Sequence, residues 1–366
     1  MARDNFTPEN LIARLSWRPD YIQDSMISIF GETIQSTELP RTSTPRSPGP
    51  LDALPIELQH IILNLLDFQS LSRLTRVCRR GKQMVESLPA HRDLVKHASS
   101  ALIALSRTRL LTCHSAAALY AALLSEQCIC CGNYAPFLFL PTCERCCYRC
   151  LERDRSLRML TVRMAKVYFG VSTKHLNQIP IMLSIPGTYS VGFTVSRRRR
   201  LRLVSQKQVR QLSLAVHGSQ EAMESFLTSQ NAGKLTSFEM FDFQWLTDPS
   251  SGSQSGWSTN YPNDQFCGMA STCFPSLRLG HGLQRGLWCV GCRLNLEHYS
   301  RTGIWDAELL PSLPLNAHPT RPLLDLQHRA RSKSELLEHI WECKGARGLL
   351  QRLEQEDKES GKTAEL

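Results

Sequence analysis

The stretch that most constrains this chain begins at Leu54-Pro55-Ile56-Glu57-Leu58 and ends at Val77-Cys78-Arg79-Arg80. Pro55 stands where a helix would start, a place that tolerates its missing N–H and fixed φ. Leu58, Ile61, Ile62, Leu65 and Leu66 then recur at three- and four-residue spacing, so one helical face is apolar. Asp67 ends that run, and Leu71, Leu74, Val77 and Cys78 open a second periodic set. Two or three short helices in about thirty-five residues bury too little surface to be very stable alone. The pattern therefore predicts a helical hairpin that completes its burial against a partner, with a hairpin inside an ordinary helical domain as the alternative.

The chain has 366 residues, 42% of them hydrophobic, enough for one large domain or two to three small ones with a real core. Its net charge is +10, which permits nucleic-acid or acidic-protein partners and demands neither. The densest basic run is Arg197-Arg198-Arg199-Arg200 with Arg202, readable as a localisation signal, a phosphate-binding strip or a solvated strand edge. No basic start leads into an apolar segment, so no secretory signal is expected. The richest apolar region, 101–124, is broken by Arg107, Arg109 and His114, so no membrane span is expected either. These readings predict an intracellular protein, cytoplasmic or nuclear. In a reducing compartment fourteen cysteines read better as metal ligands and buried thiols than as a disulfide framework.

Residues 1–34 carry some apolar periodicity and predict a short helix or two; 36–50 is a Ser/Thr/Pro-rich linker. Helices are predicted over 91–107, 115–124, 159–169, 207–216 and 219–227, and one or two over 333–355. Phe137-Leu138-Phe139-Leu140 reads as a hairpin strand, 191–204 as strand-like, and 249–258 as a loop insertion. The expected fold class is α+β, mostly α: three N-terminal helices, then a helical domain with small β and zinc-knuckle elements. No solenoid repeat is present.

Two cysteine groups have metal-ligand spacing. Cys128 and Cys131, fifteen intervening residues, then Cys147 and Cys150 give two C-x2-C pairs within the range of a zinc site. Each such turn sets two thiolates at about the separation tetrahedral zinc requires, and Gly132 leaves room for the knuckle. Cys143 with Cys146 could replace the second pair, and Cys130 a member of the first. Four thiolates close the site to a reacting water, so this zinc would be structural. The second group joins Cys289 and Cys292 to His339 and Cys343, which share a face of a predicted helix at i, i+4. Forty-six residues separate its halves, and a core histidine with a buried thiol is the alternative. Cys267 and Cys273 have no obvious partners, while Cys78 and Cys113 read as packing thiols.

The stretch 54–88 resembles an F-box, the module that docks substrate receptors onto the Skp-type adaptor of cullin-RING (SCF) ubiquitin ligases. Leu54, Pro55, Glu57, Leu58, Ile62, Leu63, Leu66, Asp67, Leu71, Leu74, Val77, Cys78 and Arg79-Arg80 carry the match. Gly81 stands where many F-boxes have an aromatic residue. His91-Arg92-Asp93-Leu94-Val95, Glu126 through Arg145 with Cys150, the stretch 212–227 with His217-Gly218-Ser219, and the second metal set resemble a cysteine-rich group of filamentous-fungal F-box proteins. That likeness covers about 51–348. It implies an F-box at 51–90 and a cysteine-rich client-binding region at 91–348; composition adds an N-terminal extension and linker at 1–50 and a polar tail at 349–366.

By the same resemblance, Leu54, Pro55, Glu57, Leu58, Ile62, Leu63, Leu66, Leu71, Leu74 and Val77 would form or support the adaptor surface. A cullin would follow through the adaptor, with an unidentified protein client bound downstream and one or two structural zinc ions. Such a receptor is not an enzyme, and no G-x-S-x-G, G-x-x-x-x-G-K-[ST] or H-E-x-x-H motif is present. The 128–150 cluster does not supply the eight interleaved ligands of a RING. The alternative is a zinc-containing nucleic-acid-binding or regulatory protein, using Lys and Arg for phosphate contact. It leaves the F-box pattern unexplained, and no recognisable base-reading motif accompanies it.

Overall fold

The computed structural model describes residues 7–29, 49–191, 194–231, 235–247, 264–278, 280, 282–305, 310 and 318–363. The expected linker at 36–50 lies outside them except for its last two residues, and the expected loop at 249–258 lies wholly outside. Eighteen α-helices and twelve strands of two to four residues make up the described chain, an α+β fold dominated by helix.

The N-terminal helical hairpin is three helices: Ile56–Leu65, Phe68–Val77 and Arg79–Ser87. Pro55 caps the first from just outside. Asp67, the residue that interrupts the apolar run, caps the second: its carboxylate accepts from the Ser70 N–H at 2.9 Å and the Ser70 hydroxyl at 2.6 Å. Cys78 caps the third through a sulfur that accepts from the Gly81 N–H at 3.2 Å. Gly81 has a steric role here. A Cβ on it would lie 2.8 Å from the Leu74 carbonyl oxygen, so the aromatic side chain common in F-boxes has no room. Leu63, Leu71, Met84, Val85 and Leu88 form the local core, completed by Ala116 and Tyr120 from the later helix Ala116–Leu124.

Beyond this unit the helix expected over 91–107 is two helices, Pro89–His97 and Ser99–Arg107, broken at Ala98, whose ψ of 26° leaves the helical region. The helix expected over 159–169 opens as a strand, Met159–Thr161, and turns helical at Val162–Phe169 once Thr161 caps the Met164 N–H. That strand pairs with Arg202–Ser205, which also pairs with Met182–Leu183. Helices Gln206–His217, Gln220–Asn231 and Ser237–Thr247 pack with it in a second core.

Of the one or two helices expected over 333–355, the structure has two, Lys333–Glu342 and Lys344–Thr363, divided at Cys343. The polar tail is therefore the end of a helix up to residue 363. Residues 8–29 are bound into the body of the protein. Helix Pro8–Leu15 buries Leu11 and Leu15 against Leu336, Ile340 and the cysteines of the second group. Ser16 and Trp17 pair with Cys289 and Trp288, and Ile27 bridges Thr272.

The central sheet is Phe137–Phe139 flanked antiparallel by Glu144–Cys146 and Ser271–Cys273. Arg145 on this sheet is 3% exposed. Its Nε and Nη2 donate to the Ala135 carbonyl, Nη1 to Ala122 and Pro275, and Nη2 also to Phe274, all at 2.6–3.0 Å. Replacing it by Met would leave four carbonyls from three segments without this donor. Arg145→Met is expected to destabilise the protein by at least about 3 kcal/mol. Arg145→Lys, lacking the planar fork, should recover only part of the loss. The urea-denaturation midpoints of the two variants and the wild type test this; an unchanged midpoint in Arg145→Met would refute it.

Candidate metal centres and partner surface

The first centre is built from a knuckle and a helix start. At the knuckle the Gly132 N–H donates to the Cys128 carbonyl at 2.9 Å, and the Cys128 N–H to the Asn133 carbonyl at 2.7 Å. Ile129 N–H donates to the Arg145 carbonyl at 3.0 Å, which ties the knuckle to the sheet. Cys147 and Cys150 come from the first turn of helix Tyr148–Arg153, with Cys147 as its N-cap. The four sulfurs of Cys128, Cys131, Cys147 and Cys150 all lie within 4.8 Å of one another, Cys131 and Cys147 at 3.6 Å. Tetrahedral thiolates on zinc stand about 3.8 Å apart, so the group is near ligand geometry.

Three of the four cysteines are buried and Cys131 is exposed. The Cys147 N–H points at the Cys128 sulfur (3.4 Å) and the Asn133 amide at Cys131 (3.4 Å). Hydrogen bonds from Cys130, Cys131, Cys147 and Cys150 hold the Cys128 thiol far below its ordinary pKa, favouring a thiolate. Of the competing cysteines, Cys146 is buried beside the Phe137 carbonyl, and burial pushes Cys143 up to about 12. Neither belongs to the four-sulfur group. Cys130 is half-buried beside Ser156.

The second centre gathers Cys289 at the end of strand Trp288–Cys289, Cys292 in the first turn of helix Val290–Thr302, His339 in helix Lys333–Glu342 and Cys343 at that helix's C-cap. Their ligand atoms also lie within 4.8 Å of one another. Cys289 and Cys343 sulfurs are 3.9 Å apart, and Cys292 Sγ is 3.1 Å from His339 Nε2. Asn295 and buried Arg331 aim N–H groups at Cys343 and Cys292 (3.8 and 3.9 Å). Hydrogen bonds from Cys289 and Cys292 draw the Cys343 thiol well below its usual range. Both centres can thus hold a metal ion, and their sulfur-rich donor sets are compatible with zinc.

Sequence reasoning missed what closes the second centre. A Cβ on Gly291 would stand 2.2 Å from the Ala346 nitrogen, and one on Gly345 2.2 Å from the Gly291 carbonyl oxygen. The two glycines let helices Val290–Thr302 and Lys344–Thr363 touch through their backbones. They sit beside Cys292 and two residues past Cys343, and glycines so close to these two ligands were the available signal. The centres are also joined. Arg153, in the helix that starts at Cys147, makes a two-pronged contact with Asp325 of helix Thr320–His328, one arm at 2.8 Å, and Glu152 pairs with Arg321. Trp288 Nε1 donates to the His328 carbonyl at 3.0 Å, and the Tyr148 ring meets the His328 ring edge-on at 4.9 Å. Burial, then the charges of Arg321 and Arg153, push His328 down to about 4, so this packed imidazole is neutral at pH 7.

The residues expected at the adaptor surface divide by burial. Pro55, Glu57, Leu58 and Val77 are exposed; Leu54, Ile62, Leu66 and Leu74 are half-buried; Leu63 and Leu71 lie inside the hairpin's own core, where they can only support a surface. Ile56, Ile61 and Leu65, which the resemblance does not place at the adaptor surface, are exposed as well, Ile61 at 58% and Leu65 at 72%. Leu58, Ile61 and Leu65 follow one another at helical spacing, with Val77, 70% exposed, at the end of the second helix. Cys113 is exposed rather than packed.

The F-box domain family model matches residues 51–93, which contain all three helices of this unit. The chain therefore contains an F-box domain in this stretch. The match stops short of both cysteine groups, and no curated protein and no solved structure matches the chain. Among the described residues no helix is long and apolar enough to cross a membrane.

If each centre holds one zinc, protein purified without chelator will carry two equivalents. Cys147→Ser should remove the first and His339→Ala the second, with the other retained, as read by plasma emission spectrometry. Two equivalents in either variant would show that the altered residue is not needed for its ion.

Proposed function

We propose that this protein is a non-catalytic substrate receptor of an SCF-type ubiquitin ligase. The F-box docks on a Skp-type adaptor, the adaptor connects it to a cullin, and the region beyond residue 93 presents a protein client. The observation that carries this reading is the family match at 51–93 together with the row of exposed apolar side chains it contains. Leu58, Ile61, Leu65 and Val77 offer water a surface that association would bury. The two centres, as structural zinc sites of four ligands each, hold the downstream region rigid, and neither leaves a position for a reacting water. The protein acts inside the cell, where the adaptor and cullin are.

Co-expression with a Skp-type adaptor tests the reading. Wild type should co-purify stoichiometrically. Leu58→Glu/Leu65→Glu alters exposed positions only, so it should keep two zinc ions and the wild-type denaturation midpoint while losing the adaptor. Leu63→Ala, in the core, should instead lose about 2–5 kcal/mol of local stability. Wild-type protein that is folded and zinc-loaded but fails to capture the adaptor would overturn the receptor assignment.

A further inference from the structure

The positive charge of this chain is concentrated in one stretch. Between Asp154 and Glu221 there is no aspartate or glutamate, while twelve lysines and arginines lie there, more than the whole chain's net +10. Some of them are held by acids from elsewhere: Arg158 by Asp264 and Lys207 by Glu144. Arg198, Arg199, Arg200 and Arg202 are different. All four are exposed, and none has a carboxylate partner among the described residues.

The fold presents them from a fixed bend. The strands Val195–Arg197 and Arg202–Ser205 flank it. Leu201 is pinned at its end, donating its N–H to the buried Ser184 hydroxyl at 2.8 Å and accepting the Ser184 N–H at 2.9 Å. A second basic segment lies alongside. Arg202 is paired with Leu183, and the Leu183 N–H donates to the Thr108 carbonyl at 3.0 Å. Two strand spacings put residues 107–109 about 10 Å from Arg202 in backbone distance. Arg107 and Arg109 are exposed on either side of buried Thr108. Arg109 has φ +64°, the position past a helix end where glycine is favoured, so an arginine is kept there at a local cost.

Hydroxyls complete the surface. On the neighbouring two-stranded ribbon, exposed Thr188 and Ser196 sit opposite each other in register, their oxygens 3.3 Å apart. Arginine forks with adjacent hydroxyl donors match phosphate oxygens. An acidic peptide would need an apolar anchor as well, and no large apolar side chain from 183–202 is exposed among the described residues.

We infer that this surface binds the phosphate backbone of a nucleic acid, without reading its sequence. It shares no residue with the exposed F-box row and would add a second partner to the proposed receptor. The test uses the full-length protein and fluorescence polarisation with labelled single-stranded RNA, duplex DNA and polyglutamate over a range of salt. Nucleic acid should bind with an affinity that falls steeply with salt. Arg198→Gln/Arg199→Gln/Arg200→Gln should weaken single-strand binding roughly a hundredfold near 0.1 M salt and reduce the salt slope by about two. Arg76→Gln/Arg301→Gln/Arg352→Gln, exposed cations elsewhere, should leave both nearly unchanged. RNA against DNA preference identifies the source of the phosphate. Equal binding of polyglutamate, or a triple bend variant that binds as wild type, would overturn the assignment. Zinc content and adaptor capture, both expected to be retained in the bend variant, separate this outcome from misfolding and from failure of the receptor reading.

Discussion

A guanidinium buried without a carboxylate is costly, and Arg145 is tolerable only because its donors reach four backbone carbonyls. Burial lowers its pKa to about 10, so the charge persists at neutral pH. The bonds come from three places: the helix Ala116–Leu124 at Ala122, the segment after the knuckle at Ala135, and residues 274 and 275 after the third strand. Its own carbonyl meanwhile holds the knuckle at Ile129. The same helix completes the F-box core through Ala116 and Tyr120, and the Ala116 N–H donates to the Leu66 carbonyl at 2.9 Å. One side chain thus connects F-box support, first metal centre and central sheet.

From that junction the order extends to the second centre through polar contacts. Arg153 with Asp325 and Glu152 with Arg321 are largely shielded from water, where ion pairs are worth more than exposed ones and their breakage costs more. They link the helix that starts at Cys147 to the helix whose last residue, His328, packs beside Trp288 and hence Cys289. The N-terminal strand then closes the far side by pairing Ser16 with Cys289. Metal bound at either centre would therefore stabilise an element that the other also uses, and would couple folding of the downstream region to both.

What the sequence made legible was local. The F-box helices follow from Pro55, from periodicity and from Asp67. The four-cysteine centre follows from two C-x2-C turns, because a knuckle's geometry is fixed by its own few residues. The faces of the first helix were harder. Ile56, Leu58, Ile61, Ile62, Leu63 and Leu65 surround it, so periodicity could not tell the core side, Leu63, from the exposed side, Ile61 and Leu65. Contacts between distant segments left no pattern. Phe137–Phe139 borrows its third strand from Ser271–Cys273, and Pro8–Leu15 finds its burial near Cys343. Arg145 reads in sequence as one more surface charge between cysteines; only the assembled carbonyls give it a place.

A receptor of the kind proposed would have to hold its client at a set distance from the adaptor, and the described helices leave no hinge directly after the F-box. The helices Arg79–Ser87 and Pro89–His97 are separated by Leu88 alone, which is fully buried, and the next break is the buried Ala98. Phe68 stacks on His91 at 5.1 Å and reaches into the main core, so the F-box is keyed to the body by packing as well as by chain continuity. A small helical unit that leaves Leu58, Ile61, Leu65 and Val77 in water gives up burial on that face. The opposite face, closed by Ala116 and Tyr120 of the later helix, offsets the loss. The F-box can therefore keep an apolar surface free for association because the rest of the chain supplies the burial its own three helices lack.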